Sequence, residues 1–209
     1  MTIMNRLIMM ISNRLLVFSL ILISCCFCSC RKTIVPKPKG YFRIDLPEKK
    51  YVALKEGEAG PGIPLEFEYP SYGRISAGNE NNPGPGFFNI EFPSYKATIY
   101  FTYKNIHNDL ASLIEQTHTM NVKNHVIKAE AINEQIINNN QDRIHGILYD
   151  LKGNTATAVQ FYVTDSVRHY LRGSLYFESE PNADSLSPLI DFFREDIIHL
   201  IGTLKWKQD

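Results

Sequence analysis

Ala156-Thr157-Ala158-Val159-Gln160-Phe161-Tyr162-Val163-Thr164 is the stretch on which the fold turns, because it reads as the middle strand of a meander. Thr157, Val159, Phe161 and Val163 fall on one side of a pleated strand, and Ala156, Ala158, Gln160 and Tyr162 on the other. The small residues admit a packed helix, so one sheet face is expected to be covered. Before it, Arg143 to Leu151 reads as a strand ending at Lys152-Gly153-Asn154, a hairpin turn in which Gly153 and Asn154 are expected to supply positive φ. After it, Thr164-Asp165-Ser166 makes a second turn into a strand over His169 to Glu178. The expected cover is the C-terminal helix, capped by Asp184 or Ser185. Its stripe runs through Leu189, Ile190, Phe193, Ile197, Leu200, Ile201 and Leu204, and Trp206 should pin its end.

Upstream, Asn108-Asp109 can cap a helix in which Leu110, Leu113, Ile114 and Thr117 recur at helical spacing, with Met120 extending the stripe to about Asn124. The apolar residues of Val126 to Asn138 suit either a short helix or a strand, and a strand near Ala131 to Ile137 is favoured. Phe87 to Phe92 and Ala97 to Tyr103 alternate and should pair around Pro93-Ser94. Ile63 to Tyr69 reads as another strand, and Asn79 to Gly86 as a turn cluster. A first strand is expected at Tyr41 to Leu46, with Phe42, Ile44 and Leu46 on one face and Tyr41, Arg43 and Asp45 on the other, until Pro47 breaks it. Strands, a helix, more strands and a terminal helix make an α+β pattern with a largely antiparallel sheet flanked by helices. A closed αβα sandwich of this kind resembles the PsbP-like architecture, an analogy of layout alone.

The N-terminus has a different composition. Arg6 and Arg14, with no acid, precede an apolar run from Leu15 to Ser29 that meets Cys25, Cys26, Cys28 and Cys30. A basic start, an apolar stretch of about 7–15 residues and small residues at the cut describe an export signal, whereas a spanning helix needs about 20 apolar residues. The cysteines make it a lipoprotein signal. Cys30 is the favoured lipid site, because the polar tether starts directly after it at Arg31-Lys32; Cys25, with Leu22 at −3, is the alternative. Several acyl chains hold a protein at a membrane where one would not, each buried CH₂ adding about 0.8 kcal/mol. The expected organisation is a signal peptide over 1–29, a lipidated cysteine and Pro/Lys tether over 30–40, and one α+β body over 41–209. Pro36-Lys37-Pro38-Lys39-Gly40 cannot be helical and sets the body off from the membrane.

Cleavage before Cys30 leaves 20 basic against 22 acidic residues, a net charge of −2. A near-neutral body lacks the basic stripe that nucleic acid requires. No cysteine follows position 30, so the body has no disulfide and must be held by its core. The Cys28-Ser29-Cys30 pair lacks the second ligand pair of a zinc site, and no cofactor or metal is expected.

Val35-Pro36-Lys37-Pro38-Lys39-Gly40-Tyr41-Phe42-Arg43-Ile44-Asp45-Leu46-Pro47-Glu48-Lys49-Lys50-Tyr51 carries a resemblance to a known family. With it go Phe161-Tyr162-Val163-Thr164-Asp165-Ser166, Leu171-Arg172-Gly173-Ser174-Leu175-Tyr176-Phe177 and Pro181-Asn182-Ala183-Asp184-Ser185-Leu186. These blocks resemble the gliding motility lipoprotein GldD family of Bacteroidetes across nearly the whole mature chain. The resemblance implies an envelope lipoprotein needed for surface gliding and the associated type IX secretion machinery, with the lipid cysteine shortly before the Pro-Lys-Pro tether, as Cys30 is here. Phe27 at −3 to Cys30 departs from the usual signal end. The implied partners are the membrane and other gliding and secretion proteins of the envelope.

Catalytic constellations are weak. The helical pair Asp196 and His199 reads as a solvated surface pair. Asp165, Ser166, Arg168 and His169 bring hydrolase residue types together, but neighbours on a strand point to opposite sides and a β-turn explains Asp-Ser equally well. Eleven tyrosines are a better lead, since tyrosine joins contact area to a hydrogen-bonding tip. The expected docking surface is Tyr41, Phe42 and Arg43 with Arg172. The favoured function is a non-enzymatic, periplasm-facing assembly component. The alternative is an envelope enzyme or small-ligand carrier, which requires a pocket over Asp165 to Arg172.

Overall fold

The meander lies within a seven-stranded sheet in which every pairing is antiparallel. The computed structural model describes residues 14–16, 44–78, 84–123 and 128–207. The chain divides into units Met1–Tyr41 and Phe42–Asp209, and the second carries the fold described below. Its strands are β1 (Tyr51–Ala53), β2 (Leu65–Glu66), β3 (Glu68–Pro70), β4 (Arg74–Ala77), β5 (Phe87–Phe92), β6 (Ala97–Asn105), β7 (Ala131–Asn139), β8 (Ile144–Lys152), β9 (Thr157–Thr164), β10 (His169–Phe177) and β11 (Lys205–Trp206). The helices are α1 (Leu110–His118), continued by a π-turn over Thr119–Lys123, and α2 (Ala183–Thr203). The large sheet runs β4-β5-β6-β10-β9-β8-β7, and β1 with β3 and β2 with β11 form two small ribbons. The class is α+β.

All eight residues of β9 are buried, so both faces at the sheet centre are covered rather than one. Over one face lies α2, whose Leu189, Phe193, Ile197 and Leu200 pack with Val159, Phe161, Val163, Leu171 and Leu175. The segment carrying Leu65, Phe67 and Tyr69 joins that core, and Phe67 stacks on Phe88 and Phe101, which lie ring to ring at 4.5 Å. Buried phenylalanines contribute about 1.5–3 kcal/mol each, enough to hold the body without cross-links. Phe161 approaches β10 so closely that a Cβ on Gly173 would sit 2.3 Å from its ring. Over the other face lies α1, where Leu113 packs with Tyr149, Leu151, Tyr162 and Tyr170.

The helix over the small residues comes about through a register shift between Leu175 and Tyr176, opposite Thr157 to Val159. Ala156 and Ala158 thereby lie beside Leu186 and Ile190 of α2, while Gln160 lies opposite Tyr149 and Ser174 on the α1 face.

Several expectations are corrected. Residues 44–50 form no strand: Leu46 is 40% exposed, and the segment is held by Lys49 and by a Ser71 to Lys50 backbone hydrogen bond. Residues 41–43 lie outside the described residues. The expected strand over 63–69 is split into β2 and β3, although Leu65, Phe67 and Tyr69 keep their alternate burial. Gly153 has positive φ, but Asn154 does not; its side chain accepts from the Ala183 amide. Asn182 caps α2 by accepting from the Ser185 amide, in place of Asp184 or Ser185. Asp109 precedes α1 without a side-chain bond to its first turn and accepts from the His107 amide. The extra residue of the π-turn leaves Met120 38% exposed and buries Asn121 completely.

Candidate functional site

Of the expected docking residues, Tyr41, Phe42 and Arg43 lie outside the described residues, as do Cys25 and Cys30. Arg172 is described. It projects from β10 on the α1 face, opposite Tyr162 of β9 and Thr102 of β6. Its Nη2 donates to Gln160 Oε1 at 2.8 Å and to Asn121 Oδ1 at 3.2 Å, and Ser174 Oγ donates to the same Gln160 oxygen at 3.3 Å. Strand and helix meet here because the π-turn carries Asn121 round to face the sheet, four residues after buried Thr117.

The cluster is unbalanced. Arg172 Nε, Gln160 Nε2 and Asn121 Nδ2 are buried with no hydrogen-bond partner among the described residues, and Gln160 and Asn121 are both 0% exposed. No carboxylate among the described residues pairs with Arg172. Burial pulls its guanidinium below the usual arginine range, offset in part by Tyr176 and Tyr170. Beside it, burial pushes the Tyr170 hydroxyl up to about 12; that hydroxyl bonds Thr117 at 2.6 Å, and its ring stacks on Tyr162.

A groove lies farther along the same face, and Arg172, Gln160 and Asn121 do not line it. Cross-strand register puts Thr102, Tyr100, Thr98, Asn89, Glu91, Ser76 and Arg74 on this same face. Arg74, Asn89, Glu91, Lys96, Thr98, Tyr100 and Glu178 line a groove of about 370 Å³ there. Arg74 and Ser76 bond Glu91, which holds its carboxyl below the usual glutamate value.

The residues of the alternative pocket do not converge. His169 is on the α2 face, stacked on Trp206 and bonded through Nδ1 to Tyr103 at 2.8 Å, whereas Arg172, three residues on, is on the α1 face. Burial alone would raise the Asp165 carboxyl, but the amides of His169, Val167 and Arg168 donate to it and hold it below the usual aspartate value. Asp165 is thus the keystone of its turn, and Ser166 adopts the positive φ that closes it.

A second polar cluster was hidden in the apolar stripe of α2. Asp196 is 1% exposed and is no solvated partner of His199. Lys49 Nζ reaches it at 2.7 Å, the Tyr51 hydroxyl at 2.9 Å and the Tyr72 hydroxyl at 2.6 Å. Lys49 also donates to the Phe192 carbonyl and lies 3.5 Å from that ring's centre. His199 bonds Glu68 at 2.8 Å and stacks on Tyr51. Position 196 falls between Phe193 and Ile197 on the buried side, so an acid there was the available signal of a buried anion; the spacing of Asn121 gave none, because it depends on the π-turn.

Among known proteins, the family model described as gliding motility lipoprotein GldD matches residues 31–206. No curated protein matches the chain. The solution structure of cyanobacterial PsbP from Synechocystis is similar at 11% sequence identity and a TM-score of 0.43, covering 82% of this chain and 98% of that one.

Proposed function

Because the chain belongs to the gliding motility lipoprotein GldD family, we propose that it serves gliding as a lipid-anchored, non-enzymatic assembly component, facing the periplasm and working with the type IX secretion machinery. Membership makes it an envelope lipoprotein of gliding motility. The finer reading is that acyl chains on Cys30, with Cys25 as the alternative, moor the body through the Pro36-Lys37-Pro38 tether. Tyr41, Phe42, Arg43 and Arg172 then meet neighbouring envelope proteins.

The observation that carries this reading is the extent of the family match, which opens at Arg31, directly after Cys30, and runs through the body to Trp206. The separation of His169 from Arg172 onto opposite faces supports a binding rather than a catalytic role. Mass spectrometry and crosslinking of detergent-solubilised envelopes test it, comparing the parent with Cys30→Ala. The parent is expected to carry acyl chains on Cys30 and to crosslink to a defined set of gliding and secretion proteins, and the variant to lose both. An unmodified parent chain, or identical neighbours after loss of the lipid, overturns the anchoring role; turnover of a substrate by purified protein overturns the non-enzymatic one.

A further inference from the structure

We infer that the Arg172–Gln160–Asn121 cluster is a binding site for a single carboxylate group, supplied by a small acid or by an acidic side chain of a partner protein. The inference stands on the donors themselves and does not depend on the assembly reading. Both side-chain amides have their oxygens turned to Arg172 Nη2, and Gln160 Oε1 also accepts from Ser174, so these bonds set the amide orientations. Their nitrogens are thereby left beside the guanidinium as idle donors, together with Arg172 Nε. A buried donor without an acceptor costs about 1–3 kcal/mol, and half-buried Arg172 has no counter-charge among the described residues. The fold sustains three such donors around one positive charge.

The chemistry of the occupant follows from that balance. Only an acceptor satisfies all three donors, and only an anion offsets Arg172. The charge to be matched is one unit, which a carboxylate supplies and a doubly charged phosphate exceeds. Nη2 already serves two acceptors, so the carboxylate meets the guanidinium at Nε alone. The three donor atoms are closed to solvent, so an occupant must displace neighbouring side chains, and half-buried Thr102 with 38%-exposed Tyr100 on β6 are the nearest outward residues on this face.

The test is a titration of the full chain in detergent micelles, followed through the ¹⁵N-linked side-chain resonances of Arg172, Gln160 and Asn121. The probes are acetate, a short peptide rich in Asp and Glu, and phosphate, all at constant ionic strength. Saturable shifts of these three resonances with acetate indicate a small acid as the source. Saturation with the peptide alone indicates a protein partner, and either result supports the site. Arg172→Met should weaken binding about tenfold or more, the loss expected for a charge-assisted hydrogen bond. Gln160→Glu provides a second variant: it supplies the carboxylate internally, so it should raise the unfolding midpoint and abolish the acetate response. Absence of any saturable shift with acetate and peptide, tighter binding of phosphate than of either, or an undiminished response in a folded Arg172→Met protein overturns the inference.

Discussion

Asp196, buried, and Arg172, half-buried, are charges on opposite faces of one sheet, and the fold treats them differently. Asp196 receives Lys49, Tyr51 and Tyr72 at 2.6–2.9 Å, so a buried anion meets a cation and two hydroxyl donors. Arg172 meets two neutral amide oxygens and retains idle donors on every member of its cluster. A satisfied network fixes the segment entering the body against α2. The Arg172 cluster leaves three buried nitrogens unpaired among the described residues.

The sharpest way to break this contrast is to remove Asp196. Asp196→Ala strands Lys49 and two tyrosine hydroxyls, and should cost about 3 kcal/mol in urea unfolding, the lower end for a broken buried pair because Lys49 keeps a quarter of its side chain in water. Arg172→Met should cost less, about 1–2 kcal/mol in the same assay, because it removes a charge that nothing neutralises and strands one buried acceptor, Asn121 Oδ1, while Gln160 keeps Ser174. Equal losses would erase the distinction.

Alkaline pH acts on both regions, since burial also raises Tyr170 beside Arg172, and the Asp196 share is isolated by variants. Burial, then the hydrogen bond to Asp196, raise the hydroxyls of Tyr51 and Tyr72 above the usual tyrosine range. A raised folded value means that their contribution is complete below about pH 10, where an unfolded tyrosine ionises, and is lost as pH climbs beyond it. Stability measured between about pH 9 and 11 should therefore fall, and the double variant Tyr51→Phe, Tyr72→Phe should fall less steeply. The smallest effect is expected in the open groove: Glu91→Gln breaks the Arg74 pair, in which Arg74 is 70% exposed, and should cost no more than about 1 kcal/mol.

Strands β5, β6, β8, β9 and β10 and both helices were legible because their apolar residues keep a period against a packed face, whereas β7, mostly exposed, suited a short helix as well as a strand. The meander needed only alternation and Gly153. Legibility failed where tertiary contacts override period. Residues 41–46 alternate like a strand, yet the described part from Ile44 forms none and the segment is held by Lys49 reaching α2, and β4 carries too little apolar pattern to stand out from the loop-rich segment around it. Met120 sits on the stripe of a regular helix, but one extra residue in the turn exchanges it for Asn121. Of the proposed carboxylate site, the sequence singles out Arg172 alone, and its expected companions Tyr41, Phe42 and Arg43 lie outside the described residues. Gln160 was visible as a polar residue in a buried strand, while Asn121 and the idle donors emerge only when helix and sheet are brought together.

The account is tested most directly by urea unfolding of the parent, Asp196→Asn and Arg172→Met across a series of acetate concentrations, with ionic strength held by chloride. A ligand that binds only the folded state raises its unfolding free energy with the logarithm of its concentration. The parent and Asp196→Asn should show that rise from different starting stabilities, and Arg172→Met should stay flat. A flat parent, or a rise of equal size in Arg172→Met, would contradict it.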